Sequence, residues 1–183
     1  MPLLKGEGAF SMFRKAILSD LDAVESIYNA IHDGEEAGRS NIGWKRHIYP
    51  TRETAKAAIL AGDFFVLEVD GEIVASARIN KIQVEEYKLV AWSHDARDEE
   101  VMVLHTLAVA PAMAGKGYGT AFVRFYEDYA RENGCPYLRM DTNETNARAR
   151  ALYKKLGYAE KGIVPCVFNG IEGVNLVCLE KTL

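Results

Sequence analysis

Cysteine is scarce in this chain of 183 residues: Cys135, Cys166 and Cys178 are its only three. Their spacing is neither that of a metal site nor that of a disulfide framework, which fits reduced, mostly buried thiols in a cytoplasmic protein. Long hydrophobic runs are missing too, since none approaches the roughly 18 apolar residues of a membrane span. The first 13 residues carry one lysine and no extended apolar core, so they do not read as a signal peptide. Residues 1–12 read instead as a flexible lead-in, with Met12 standing where a shorter chain would start. Basic excess is also lacking. A formal net charge of −4 argues against nucleic acid as a bulk partner, because phosphate backbones are bound by clustered Lys and Arg. There is no internal repeat and no low-complexity tract.

What is present is a hydrophobic fraction of 49%, enough for the core of one domain over residues 13–183. Phe13–Leu18 reads as a strand, and Ser19-Asp20 as a cap for a helix with Leu21, Val24, Ile27, Tyr28 and Ile31 on its buried face. Thr51 caps a second helix that Gly62 stops. Phe64–Val69 and Ile73–Ile79 are joined by Asp70-Gly71, a hairpin signal. Lys81 to Arg97 is ambiguous between strand and loop. Val101–Val109 is a long apolar strand, Gly117 to Asn133 a helix, and Tyr137–Asp141 a buried strand. Thr145 or Asn146 caps a helix with Ala149, Leu152, Tyr153 and Leu156 inward. Strands near Tyr158–Val164 and Val174–Leu179 finish the chain. The sum is an α/β domain with a mixed sheet, β-hairpins at both ends and a β–α–β–α centre.

The densest signal is Leu104-His105-Thr106-Leu107-Ala108-Val109-Ala110-Pro111 followed by Gly115-Lys116-Gly117-Tyr118-Gly119. A strand runs into a glycine-rich turn that opens a helix, and such a turn gathers backbone N–H groups where a phosphate can sit. The Gly-Lys-Ser/Thr ending of a P-loop is absent, and the glycine spacing is not that of a dinucleotide site.

Together with Asn146-Ala147-Arg148-Ala149-Arg150-Ala151-Leu152-Tyr153-Lys154-Lys155-Leu156-Gly157-Tyr158, this block resembles the two signature motifs of the GNAT family of N-acetyltransferases. The first, Gln/Arg-x-x-Gly-x-Gly/Ala, corresponds to Ala114 through Gly119. The second, an Asn followed by Leu-Tyr-x-x-x-Gly-Phe/Tyr, is present in every part. The resemblance implies a mixed, mostly antiparallel sheet of six or seven strands flanked by about four helices. It also implies acetyl-CoA as donor and no metal. The backbone amides of Gly115, Lys116, Gly117, Tyr118, Gly119 and Thr120 would hold the pyrophosphate. Leu107 and Val109 would pair with the pantetheine arm as with an added strand. An N–H at Leu107 or Ala108 would polarise the thioester carbonyl. Asn146 would bond a pantetheine amide, and Ala149 is small where the cofactor passes. The family's Gln or Arg at the head of the turn is Ala114 here, and Lys116 is the nearest replacement charge.

The reaction implied is transfer of acetyl to a primary amine by direct attack in a ternary complex. Its acceptor would be a small molecule or a peptide amine, and a homodimer is common in the family. Tyr153 is the candidate acid for the departing thiolate. His105 is the candidate base that takes a proton from the ammonium: it shares strand parity with Val103, Leu107 and Val109 and has a suitable ordinary pKa. It also stands in a His-x-Leu-Ala-Val setting that resembles the arylalkylamine N-acetyltransferases, where a His at this place helps deprotonate the amine. Val103 stands where many members have a glutamate, and Glu99 and Glu100 are alternatives acting through water. Tyr28, Trp44, His47, Tyr49 and Trp92 lie in segments that border the acceptor cleft in the family. Asp141-Thr142-Asn143-Glu144 sits at a strand's C-terminal end, where ligands often lie. Cys166 to Gly170 is a further candidate wall. The competing class is a non-catalytic acyl-CoA sensor, which Ala114 and Val103 keep open.

Overall fold

The computed structural model describes residues 10–183. Its seven-stranded sheet comprises β1 (Ser11–Lys15), β2 (Phe64–Val69), β3 (Glu72–Asn80), β4 (Val101–Val109), β5 (Tyr137–Asn143), β6 (Ala159–Phe168) and β7 (Ile171–Thr182). The order across the sheet is β1-β2-β3-β4-β5-β7-β6, and every adjacent pair is antiparallel except β4–β5. Among the described residues four α-helices accompany it: α1 (Leu21–Glu36), α2 (Arg52–Ala61), α3 (Tyr118–Glu132) and α4 (Ala147–Lys155). This is the mixed, mostly antiparallel architecture expected from the motifs. No helix of the described residues is long and apolar enough to cross a membrane.

Local chemistry explains most boundaries. Thr51 accepts the N–H of Thr54 and starts α2, and Gly62 ends it in a left-handed conformation. Asp70 and Gly71 both take positive φ, as a two-residue hairpin with right-twisted strands requires. Asp20 departs from its expected role. Its carboxylate accepts the Ile17 N–H at 2.8 Å and the Arg14 guanidinium at 2.7 and 3.0 Å, and it does not cap α1. The first strand begins at Ser11 and ends at Lys15, earlier than the hydrophobic run suggests. Of the expected lead-in, residues 1–9 lie outside the described residues, while Ser11 and Met12 pair with Val69 and Glu68. The last two strands are longer than expected, because their mutual pairing extends through Phe168↔Ile171.

The sheet is covered on both faces. Met102, Leu104, Leu138 and Met140 pack with Phe122, Val123, Tyr126 and Tyr153 of α3 and α4. On the opposite face Val66 and Ala108 meet Val24, Tyr28, Ala55 and Ala58 of α1 and α2. Val101 and Val103 on that face join Tyr87, Leu176 and Cys178.

Two irregularities create the site. β4 and β5 pair only from Val101↔Tyr137 to Leu104↔Met140, and beyond that point the two strands part. In β4 the register against β3 slips between Arg78↔His105 and Ser76↔Ala108, so β4 carries one extra residue there. Thr106 lies in this bulge with φ 54. The buried Tyr126 hydroxyl donates to Met102 O at 2.6 Å and to Arg139 O at 3.1 Å, tying β4 to β5 just below the parting. We expect Tyr126→Phe to lower stability by about 1–3 kcal/mol, measured by urea unfolding followed through tryptophan fluorescence.

Candidate active site

A cavity of about 410 Å³ fills the parting of β4 and β5. It is lined by Arg78 and Asn80 of β3, His105, Thr106 and Leu107 of β4, and Asp141 to Asn143 of β5. Asn146 at the cap of α4, with Ala149 and Tyr153 within it, closes it on one side, and Trp44, Tyr49 and Phe168 on another.

The bulge corrects the expected parity of β4. Leu107 and Val109 pack against the cluster that holds Met102 and Leu104, whereas Val103 belongs to the opposite cluster. His105 therefore shares a face with Val103 but not with Leu107 and Val109. An alternating reading cannot foresee one inserted residue. The consequence is useful: His105 and Leu107 both line the cavity but come from opposite faces of β4.

On the donor side, Gly115 and Gly117 have φ of 80 and 83, which lets the chain fold its amides toward the N-terminus of α3. Ala121 is the first residue of this helix whose N–H reaches back to the chain, at Gly117 O, and the amides of Gly115 to Thr120 have no hydrogen-bond partner among the described residues, which leaves them open to an anion. Ala114 is extended, and the exposed Lys116 ammonium rests 3.3 Å from Met113 Sδ. Beyond Leu104 the β5 side of β4 has no strand partner among the described residues, so an extended ligand can pair with it. Asn146 caps α4 through Oδ1, 3.1 Å from the Ala149 N–H, which leaves its amide N–H groups as donors at the cavity wall. Ala149 lines the same wall. These groups fit a pyrophosphate joined to an amide-bearing arm.

Tyr153 is buried, makes no hydrogen bond through its hydroxyl among the described residues, and lines the cavity. Burial and then the charge of Asp141 push its pKa upward, so it remains a phenol at neutral pH. His105 Nε2 lies 2.9 Å from Asn80 Oδ1. The orientation of that amide is fixed, because Asn80 Nδ2 donates to Asp63 at 2.7 Å and Oδ1 also accepts the Ile82 N–H at 3.0 Å. Nε2 must then be the donor, which leaves the lone pair on Nδ1. Burial and the Arg78 charge push His105 down to about 4, so it is neutral at physiological pH.

Other expected residues divide. Trp44 and Tyr49 line the cavity, and Tyr49 is hydrogen-bonded to Thr106 across it. Tyr28 packs edge-on against Trp44 and is not in the lining. His47 is outside the lining, and Trp92 lies over the Arg139 guanidinium. Glu99 and Glu100 pair with Arg97 at the far end of β4, away from the cavity. Asn143 accepts the N–H and hydroxyl of Thr145 and packs on Gly43, where a Cβ would lie 2.3 Å from its Nδ2. Phe168 and Asn169 supply the wall expected from 166–170.

Residues that sequence reasoning passed over are Arg78, Asn80 and Tyr87. Arg78 and Asn80 interrupt an apolar strand at alternate positions, a pattern that already marks one polar face. Tyr87 lies in the ambiguous 81–97 stretch, in a 3-10 helix over Glu85–Leu89, and donates to Asp141 at 2.7 Å.

A parted β4–β5 pair with a glycine turn at the head of the following helix is the arrangement that the motif resemblance leads one to expect. Residues 24–158 match the Acetyltransferase (GNAT) family model, and the chain belongs to that family. It is 26% identical to streptothricin acetyltransferase of Streptomyces lavendulae over 107 residues, 58% of this chain and 49% of that protein. The chain thus spans about half the length of that relative. A GNAT-family acetyltransferase structure from Streptococcus agalactiae superposes with a TM-score of 0.78 at 25% identity, covering 94% of this chain and 95% of that one. The yncA structure from Salmonella typhimurium, which carries its cofactor acetyl-CoA, superposes at 0.64 with 20% identity, covering 94% of each chain.

Asp141 gives a stability prediction. Its carboxyl is pushed up to about 6, chiefly by burial, with Tyr87 opposing and Glu86 adding to the effect. A folded pKa above the unfolded value means that the penalty is absent below about pH 4 and complete above about pH 6. Asp141→Asn should therefore raise stability at pH 8 by about 2 kcal/mol and change little at pH 4, read from thermal melts at the two pH values.

Proposed function

We propose that this chain is an N-acetyltransferase that moves the acetyl group of acetyl-CoA to a primary amine by direct attack in a ternary complex. The observation that carries the reading is the cavity itself. It brings the parted edge of β4 at Leu107, the cap Asn146 and the Tyr153 phenol together with a face bearing His105 and Asp141, while the glycine turn stands at the end of the same strand, outside the lining. Bound acetyl-CoA supplies an activated acyl carbon and a thiolate leaving group.

The protein's own residues do the rest. Amides of Gly115 to Thr120 hold the pyrophosphate, with Lys116 as the nearest side-chain cation in place of the family's Gln or Arg at Ala114. The strand edge at Leu107 and Val109 and the Asn146 amide position the arm, and an N–H at Leu107 or Ala108 polarises the carbonyl oxygen. Tyr153 gives its proton to the thiolate, and its raised pKa suits it to hold that proton until sulfur needs it. His105, through Nδ1, takes a proton from the acceptor nitrogen. The relative named for streptothricin is in keeping with an amine-bearing small molecule as acceptor, and Trp44, Tyr49 and Phe168 suit an acceptor with an apolar portion.

The test is thiol release from acetyl-CoA against a panel of primary amines, paired with thermal shift by CoA. Turnover with at least one amine supports the enzyme. Stabilisation by CoA with no turnover across the panel favours a sensor. Tyr153→Phe should keep CoA binding and lose about 100-fold in kcat, and wild-type turnover in this variant at every pH removes Tyr153 from the acid role. His105→Ala should lower kcat/KM by about 10-fold or more with the CoA affinity unchanged.

A further inference from the structure

We infer that Asp141 receives the acceptor as an ammonium ion and takes its first proton, with His105 left to take the second. This rests on the N-acetyltransferase reading and deepens it to a substrate class and a division of labour.

The argument begins with register. Leu104↔Met140 is the last pair before the strands part, so one residue on, His105 and Asp141 occupy corresponding positions on either side of the opening. On its other edge His105 pairs with Arg78. Arg78, His105 and Asp141 thus form one row across β3, β4 and β5, and all three line the cavity. The row has a cation at one end and a carboxylate at the other. Arg78 is already engaged by Asp63 at 2.9 Å, and its charge disfavours a second cation beside His105.

Asp141 has no cationic partner among the described residues. Its Oδ2 accepts from the Tyr87 hydroxyl at 2.7 Å. The titratable groups around it are Glu86 beside Tyr87, Tyr153 of α4, Tyr49 of the α1–α2 connection, Cys166 of β6 and Cys178 of β7. Each of these is neutral or acidic. A partly buried carboxylate in such company is stabilised by an arriving cation, and a protonated primary amine is the cation that this reaction supplies. Held near 6, the carboxyl is ionised at neutral pH and is a stronger base than His105.

The protons balance. A protonated amine sheds two of them on becoming an amide. The first passes to Asp141, and the freed nitrogen lone pair forms the C–N bond. The C–S bond breaks with its electron pair on sulfur, which takes the Tyr153 proton. The second nitrogen proton goes to His105 and returns to the Tyr153 oxygen through solvent. Asp141 releases its proton to water, so the net products are one amide, one thiol and one proton.

The experiment compares wild type, Asp141→Asn and His105→Ala, each loaded with CoA, by calorimetric titration at neutral pH. The probes are 2-phenylethylammonium and its uncharged isostere 2-phenylethanol. We expect the wild type and His105→Ala to prefer the ammonium by about tenfold or more, and Asp141→Asn to lose that preference. With an amine that turns over, the acidic limb of kcat/KM near pH 6 should vanish in Asp141→Asn, with a loss of about 100-fold. An ammonium preference absent from the wild type, or retained in Asp141→Asn, overturns the proposal, as does an acidic limb that survives the substitution. Thermal stabilisation by acetyl-CoA is recorded on every variant. Its presence shows that each is folded with a working donor site, and its absence in the wild type defeats the acetyltransferase reading separately. Should Asp141→Asn not fold, Tyr87→Phe serves in its place: removing the donor to Oδ2 should move the acidic limb to higher pH, and an unmoved limb counts against Asp141.

Discussion

The structure depends on the parting of two parallel neighbours. A parallel pair in the middle of a sheet normally continues until its strands end, because each unpaired peptide group forfeits a hydrogen bond. Here β4 and β5 separate while both strands run on, to Val109 and Asn143. The hydroxyl of Tyr126, buried beneath the junction and bonded to a carbonyl on each strand, marks where pairing stops. The left-handed Thr106 then swings the free half of β4 into its own register with β3, a strained conformation for a β-branched residue. Its hydroxyl is held by Tyr49 from the connection between α1 and α2, so the strain is secured from the far side of the cavity.

The acceptor side depends on a second device. The 81–97 stretch has little regular structure, yet it is pinned by one buried guanidinium. Arg139 donates to Gln83 at 2.6 Å and to the His94 carbonyl at 3.0 Å, and it lies 4.2 Å from the Trp92 ring. Glu180 balances its charge and also accepts the Ser93 N–H. This clamp fixes the segment that carries Tyr87, and Tyr87 in turn orients Asp141. A substitution at Arg139 would therefore be felt in the cavity without any contact to a ligand there.

The glycine turn and the Asn146 cap, the proposed donor half, were legible in the sequence because their physics is local. Glycines with positive φ, a helix start and an asparagine cap leave their signatures within a few residues, and Gly115, Gly117 and Asn146 stand where those signatures put them. The acceptor half was not, because it is assembled from β3, β4, β5 and two irregular connections. The period-two pattern of β4 is faithful until Leu104 and then misleads, since a bulge leaves no mark among apolar residues. Asp141 was visible as the polar end of an apolar strand. Its lack of a cation among the described residues becomes apparent only when the neighbours from five other segments are assembled around it.

That isolation contrasts with four acids that the chain shields from water and pairs with a cation. Asp20 is clasped by Arg14, Asp63 by Arg78, Glu127 by Lys181 and Arg124, and Glu180 by Arg139. In each case the cost of removing a carboxylate from water is offset by a cation within hydrogen-bond distance. Asp141 receives only a phenol, and the nearest further charge is another acid. The fully buried Asp20, Glu127 and Glu180 are each neutralised, whereas the half-buried Asp141 stands without a cation among the described residues at the mouth of the strand parting, level with the neutral His105. Local rules broken at a single place, with the surrounding structure spending stability to keep them broken, are the mark of a site completed by a ligand. The missing charge is the one a protonated amine brings.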